Sequence, residues 1–518
     1  MTAPSPGVDP RWAPPNPNTP PIHRPHPVAY LLAIVGPVLV VLALVAPLAV
    51  VAALNHWRPP GAGTDPANGR SRAREGAPGL GDADYPAAGN GGYDVGRYEI
   101  HISWDPTTES MRSRTTITAR ATQALVSFYL DLALTTDRVV VDGEPAAFDQ
   151  HGPTNLEVTP AQPIANGAPF EVTVDYSGKP ADVRSGDFPG WWAAKSEWTA
   201  AGQPESAAWW YPSNDHPSDP ALMDVSIRVP AGLQAISVGR LESRDSAQEP
   251  DFDTWHWVAR QPMATYLNFM TIGRYEIREG VDDGLPYVYA VTEALSTADR
   301  AKAFATLMTS RTRVRTLEAM FGPYPFTELG GVVPSHDLWF DGLETQTRPI
   351  YVAKSLLDDD YASELVTHEL AHMWFGNNVT VRQWNDIFNN EAYASWAAWE
   401  YAARTGGPSA QSSFQRSFDR WADRPRFWRI TMINPTRDHL FDAVYERGPM
   451  TLQALRNVVG DAAFLALSRS WAQDPGSRSL EEWMTRAQSV TPVDLGPFFQ
   501  AWIYAPTAPA RTRANGFA

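Results

Sequence analysis

Two histidines four residues apart, followed by a glutamate 19 positions on, constrain this chain more than anything else in it. They are His368, His372 and Glu391, within SELVTHELAHMWFGNNVTVRQWNDIFNNEAYASW, Ser363 to Trp396. On an α-helix, residues four apart share one side. His368 and His372 therefore aim two imidazoles at one point if this stretch is helical. Two imidazoles and a carboxylate suit one Zn2+, a borderline ion, and leave its fourth position open to water. Glu369 lies one residue round the helix from His368. That places it beside the water and off the metal, where a general base belongs.

The flanking residues favour helices. Asp358, Asp359 and Asp360 suit the N-terminus of a metal helix over about 360–375, through capping and the helix dipole. Gly376 suits its stop. A second helix, about 386–404, carries Glu391 and ends at Thr405-Gly406-Gly407-Pro408. Upstream, a helix opens at Ser296 or Thr297 and closes at Gly322, before Pro323 and Pro325. The strand-like GGVVPSHDLWFDGLETQTRPIYV follows, and further helices fill 410–505. The helical pattern begins at about Glu279, giving a mainly helical domain over 279–507 and a tail over 508–518.

Before it the hydrophobic period is two. Tyr98, Ile100, Ile102 and Trp104 alternate with polar residues, as do Phe170, Val172 and Val174. Asp142-Gly143 after Val139–Val141 signals a hairpin. Residues 93–278 thus read as a β-rich domain. His101, His151, His216 and His256 lie in it singly and are assigned no metal.

The N-terminus reads differently. Residues 1–27 are Pro-rich and polar, which predicts disorder. Val28 to Leu54 is a run of 27 residues without a charge, and about 20 apolar residues span a bilayer. An uncleaved membrane helix is expected there, since no A-x-A cleavage site follows it. Residues 55–92, rich in Gly, Pro, Ala and Asp, read as a flexible linker. Arg58, Arg70, Arg72 and Arg74 after the span outnumber Arg11 and Arg24 before it. Long domains translocate regardless of such charges, so a single-pass cell-membrane protein with an extracytoplasmic catalytic part is expected. The net charge of -16 argues against nucleic acid as a partner. The absence of cysteine excludes a thiol nucleophile and any disulfide framework.

HELAHMWFGNNVT followed by WNDIFNNEAYASW closely resembles the zinc aminopeptidase family of aminopeptidase N and leukotriene hydrolase, the gluzincin aminopeptidases. Further blocks resemble that family in the same order: YPSNDHPSDPALMDVSIRVP from Tyr211, QPMATYLNFMTIGRYE from Gln261, FGPYPF from Phe321, VYERGPMTLQALR from Val444 and FFQAWIY from Phe498. Together with the expected membrane helix, the resemblance implies a multidomain α+β fold: a β-rich saddle-like domain, then a mainly helical thermolysin-like zinc domain. It implies Zn2+ on His368, His372 and Glu391, with Glu369 as base. Tyr445 falls on the family's catalytic tyrosine, which helps stabilise the oxyanion. Glu344, in Asp341-Gly342-Leu343-Glu344-Thr345, falls on the glutamate that binds the substrate's free α-amine. Leu343 and Thr345 replace the methionine and asparagine of that signature. Gln203 falls on a second amine-binding position, for which the neighbouring Glu205 is an alternative. Trp209 and Trp339 are candidates to shape the first side-chain pocket.

The resemblance thus implies an aminopeptidase acting on peptides with a free N-terminus, and the apolar run at 28–54 adds a membrane anchor to that expectation. A zinc endopeptidase or epoxide hydrolase on the same scaffold is the alternative, and a catalytically dead binding protein a third reading. Many relatives continue past the counterpart of FFQAWIY into a β-sandwich and a helical domain that caps the cleft. Fourteen residues follow that block here, which predicts a short form with a more open cleft.

Overall fold

The computed structural model describes residues 73–184, 189–246 and 250–517. The period-two stretch forms an eight-stranded sheet from β1 (Tyr93–Asp105), β2 (Ser110–Ala121), β3 (Thr135–Val141), β4 (Glu144–Pro145), β5 (Pro169–Gly178), β6 (Ala221–Pro230), β7 (Arg240–Asp245) and β8 (Phe252–Met263). The strand order is β7-β8-β6-β1-β2-β5-β3-β4. Only β6 and β1 pair in parallel, with Val225 opposite Ile100 and Ile227 opposite Ile102. The alternation sends Tyr98, Ile100, Ile102 and Trp104 to the buried face. Asp142 (φ 50) and Gly143 (φ 83) both take the left-handed turn that joins β3 to β4.

A second sheet follows: β9 (Tyr275–Asp282), β10 (Leu285–Thr292), β11 (Leu329–Val333), β12 (Gly342–Leu343) and β13 (Ile350–Tyr351), in the order β9-β10-β11-β13-β12. The helical region therefore does not begin at Glu279. That position lies inside β9, where Tyr275 to Asp282 pair with β10. Among the described residues the α-helices start with α1 (Thr297–Leu307), capped by Ser296, whose hydroxyl accepts from the Asp299 amide. The expected single helix to Gly322 is broken before α2 (Ser310–Phe321). At the break the Thr309 hydroxyl donates to the Thr306 carbonyl at 2.6 Å, competing with the backbone ladder.

Helix α3 (Ala362–Ala371) carries the first histidine and α4 (Phe388–Arg404) the glutamate. The aspartates before α3 shape the turn that leads into it and do not cap it directly. Asp358 Oδ1 accepts from the amides of Asp360 and Tyr361 at 3.0 and 3.2 Å. After the helix, Gly376 takes φ +117, which favours glycine. Aromatic rings set the spacing of the two ligand helices. Phe375 stacks on Tyr393 of α4 at 4.1 Å. Phe321, at the end of α2, meets Phe375, Tyr393 and Trp396. Each such pair contributes about 0.5–1.5 kcal/mol beyond the area it buries.

Helices α5 (Ala410–Trp421) and α6 (Val444–Val459) complete the frame around α4. Gly448 of α6 lies against α4, where a Cβ would stand 2.7 Å from that of Ala392. Arg447 is wholly buried and donates to four backbone carbonyls, those of Trp428, Ile430, Trp502 and Ala505.

Three expectations about the chain ends need correction. The expected linker is folded from residue 73: Arg74–Glu75 pairs with Leu125–Asp131, and Asp82 and Tyr85 are buried. The tail beyond 507 is packed as well, with the Phe517 ring 4.6 Å from Phe418 and stacked near Trp502. The single-pass extracytoplasmic placement does not stand: among the described residues no helix is long and apolar enough to cross a membrane. The stretch 28–54, which carries the expected membrane helix and the bilayer as partner, lies outside the described residues.

Arg447→Leu leaves four carbonyls without a donor. It should cost on the order of 3 kcal/mol or more in denaturant unfolding. A loss within experimental error would contradict the anchoring role given to this arginine.

Candidate active site and metal centre

The structure brings His368, His372 and Glu391 together. His368 Nε2 lies 3.2 Å from Glu391 Oε2, His372 Nε2 lies 3.3 Å from the same oxygen, and the two Nε2 atoms are 3.0 Å apart. All three residues are buried. His372 Nδ1 donates to the Phe375 carbonyl at 2.9 Å, which fixes the tautomer and leaves Nε2 as an acceptor. Ser395 Oγ, from α4, lies 3.4 Å from His368 Nδ1 and is placed to do the same there.

These residues fit zinc. A tetrahedral ion with ligand bonds of about 2.0 Å sets its donor atoms roughly 3.3 Å apart, close to the separations observed. The local field agrees. Burial opposes charge on His372, yet Glu391 and Glu344 raise its pKa to about 10. Burial likewise opposes charge on Glu391, yet His372 and then His368 hold its carboxyl at about 2. The site draws positive charge to the point where the ligand atoms converge.

Glu369 and Glu344 face this point from one side, with a ligand atom of each within 4.8 Å of the other and of His372. Burial pushes Glu369 well above the usual carboxylate range. His372 opposes that shift, and Glu344, Glu391 and Asp341 add to it. A carboxylate so raised is suited to take a proton and return it. Gly342 on β12 is a residue that sequence reasoning did not single out. A Cβ there would stand 2.3 Å from Glu369 Oε1. The edge strand can approach Glu369 this closely only with no side chain at that position.

Glu344 follows β12 and is buried. Its Oε1 accepts from Gln203 Nε2 and from the Tyr266 hydroxyl, each at 3.0 Å. Gln203 thus contacts Glu344 directly. Tyr266 is a second residue that was missed, although it stands inside the QPMATYLNFM block. Asn377 Nδ2 holds the Glu344 carbonyl at 2.9 Å. Burial raises the Glu344 pKa, His372 lowers it and Glu391 raises it.

Tyr445, on the first turn of α6, is half-buried, with its ring 5.9 Å from that of His368. Burial, with Glu391, Glu344 and Glu369 nearby, pushes its phenol well up. The hydroxyl therefore keeps its proton and can donate it in a hydrogen bond. Of the two tryptophans expected near the first pocket, Trp209 is buried against Gly190. Trp339 is at the surface, 6.2 Å from Phe441. That ring contact joins the segments leading to Gly342 and to Tyr445.

Two family models match the chain: the M1 N-terminal domain over residues 95–267 and the peptidase family M1 domain over 308–482. The chain belongs to peptidase family M1. Among relatives, it is 26% identical to a leucyl aminopeptidase of Saccharolobus solfataricus over 330 residues, 58% of this chain and 40% of that protein. It is 23% identical to aminopeptidase N of Streptomyces lividans over 57% of this chain and 36% of that one. The chain thus spans less than half the length of these curated relatives. It covers 98% of an M1 zinc metallopeptidase from Deinococcus radiodurans, which matches 83% of this chain with a TM-score of 0.74 and 25% identity. A variant of that metallopeptidase has been solved bound to a Tyr-Ser-Ala substrate.

His372→Ala and Glu391→Ala should each lose bound zinc by elemental analysis, and a full complement in either would contradict the ligand assignment. Gly342→Ala should keep zinc while turnover falls about 100-fold, the scale of losing a well-placed base. Unchanged turnover would show that the strand and the base are not in register.

Proposed function

We propose that the protein is a zinc aminopeptidase that removes the N-terminal residue from peptides. The observation that carries this reading is the placement of Glu344. Its carboxylate, fixed by Gln203 and Tyr266, lies within 4.8 Å of the ligand atoms of Glu369 and His372. An anion held this close to the reacting centre leaves room for only a short piece of substrate between them.

His368, His372 and Glu391 would hold the zinc ion, which when bound would supply Lewis acidity to the scissile carbonyl and lower the pKa of the attacking water toward about 7. Glu369 takes the proton from that water and delivers it to the leaving amine. Its raised affinity for a proton suits both halves of the transfer. The Tyr445 hydroxyl donates to the oxygen on which negative charge develops, a contribution of about 3 kcal/mol in comparable sites. Glu344 and Gln203 bind the substrate's N-terminal amine. With a pKa of about 7.7–8.0 that amine is mostly protonated at neutral pH, and its charge answers the buried carboxylate. Where the ammonium is fixed, the bond that reaches the water is the first one.

Glu369→Gln should keep zinc and lose turnover by a factor on the order of 1,000, measured on an aminoacyl-aminomethylcoumarin; activity near wild type would exclude Glu369 as the base. Glu344→Ala should raise KM for the same substrate by about 100-fold, the scale of removing one partner of a buried charge pair. An unchanged KM would remove the argument for exopeptidase action.

A further inference from the structure

We propose that residues 73–92 form a strap that positions the amine-binding end of the site, acting through Asp82. This rests on the aminopeptidase reading above, because the group positioned is Glu344. The strap lies outside both regions matched by the family models, which begin at residue 95.

The Asp82 side chain is wholly buried and fully used. Oδ1 accepts from the amides of Asp84 and Tyr85 at 2.8 and 3.0 Å, closing a tight turn. Oδ2 accepts from the Trp384 amide at 2.7 Å and lies 3.2 Å from His216 Nε2. His216 belongs to the β domain and Trp384 to the catalytic domain, so one carboxylate ties the two together.

The Trp384 amide needs this partner. Trp384 opens the 3-10 turn Trp384–Asp386 that leads into α4, and the first amides of a helical turn have no acceptor within it. The Asp386 amide donates to the Gln383 carbonyl at 3.0 Å, and Asp386 Oδ2 accepts from the Gln383 amide at 3.0 Å. For Trp384 the acceptor comes from the strap, 302 residues away in sequence. Tyr85 adds a ring, edge-on to Trp384 at 6.1 Å. The Arg437 guanidinium lies 5.0 Å over Tyr85, and the Arg437 amide donates to Asp84 at 3.0 Å.

From Trp384 the contact runs to the site. Its ring, fully buried, meets Tyr266 edge-on at 5.2 Å. The Tyr266 hydroxyl donates to Glu344 at 3.0 Å. On its other side that hydroxyl lies 3.5 Å from Asn390 Nδ2, the residue before Glu391. Without Asp82 the Trp384 amide is left buried and unpaired, and its ring is released from one side. Tyr266 then loses the wall that directs its hydroxyl, and Glu344 loses one of its two donors. The zinc ligands and Glu369 are held separately by α3, α4 and the aromatic layer beneath them. The effect should therefore fall on substrate binding and spare the chemical step.

In the full chain, Asp82→Ala should raise KM for leucyl-aminomethylcoumarin about tenfold, with kcat within about twofold of wild type and zinc retained. Tyr266→Phe should raise KM similarly, and the double variant should be no worse than either single one. A strap that is merely structural would lower thermal stability and active fraction with KM unchanged, and that result would overturn the proposal. So would KM effects that multiply in the double variant. Hydrogen exchange gives a readout independent of activity: Asp82→Ala should speed exchange of amides in 261–270, the segment holding Tyr266. If wild type fails to cleave the substrate, the aminopeptidase reading falls, and the exchange result alone decides whether Asp82 positions Tyr266. Should Asp82→Ala not fold, Tyr85→Leu removes the strap's ring from Trp384 and is read in the same way.

Discussion

Three buried groups whose acceptor atoms converge form the constraint on which the rest of the structure depends. His368, His372 and Glu391 bring two imidazole nitrogens and a carboxylate oxygen within 3.0–3.3 Å of one another. Such a cluster is costly to bury unless positive charge sits at its centre. The surrounding packing serves to hold it. Phe375 stacked on Tyr393 ties the end of one ligand helix to the other. Gly448 lets α6 press against α4 beside Glu391, which brings Tyr445 over the His368 ring. Gly342 lets the edge strand close on Glu369.

In the proposed function, a metal and its base account for hydrolysis, and selectivity for a free terminus comes from the meeting of two domains. Glu344 is supplied by the catalytic domain, and its two hydrogen-bond donors, Gln203 and Tyr266, by the β domain. That contact is meaningful only if the domains are locked. Arg348, wholly buried, donates to the Ser237 and Gly239 carbonyls on one side and to Val288 on the other. Asp82 spans the same divide between His216 and Trp384. The domain interface and the Glu344 site are thus maintained by the same kind of interaction, buried charge satisfied by polar groups from both sides.

What was legible in the sequence was whatever has a local period or a fixed spacing. The i, i+4 histidines announced a helix and a ligand pair, and the alternation of Tyr98 to Trp104 announced the β sheet. The family blocks put Gln203 and Glu344 forward, and the fold places them 3.0 Å apart although they stand 141 residues apart. The strap was hidden for a physical reason. Its Gly, Pro and Asp content reads as a tether, and its order comes from Asp82 and Tyr85 meeting residues hundreds of positions away. The hairpin of β9 and β10 was read as the start of a helical region, since strand pairing also leaves no fixed spacing. Tyr266 and Gly342 acquire their importance from a hydroxyl direction and a missing Cβ, neither of which shows in one dimension.

Recognition of a free amine by the buried carboxylate of Glu344, beside the zinc-binding cluster, is the central claim. Two peptides identical except for N-terminal acetylation, incubated with the zinc-loaded full chain and followed by mass spectrometry, test this directly. The free peptide should be shortened one residue at a time from its N-terminus, the acetylated one should stay intact, and a chelator should stop the first reaction. Internal cleavage of the acetylated peptide at a comparable rate would contradict the account.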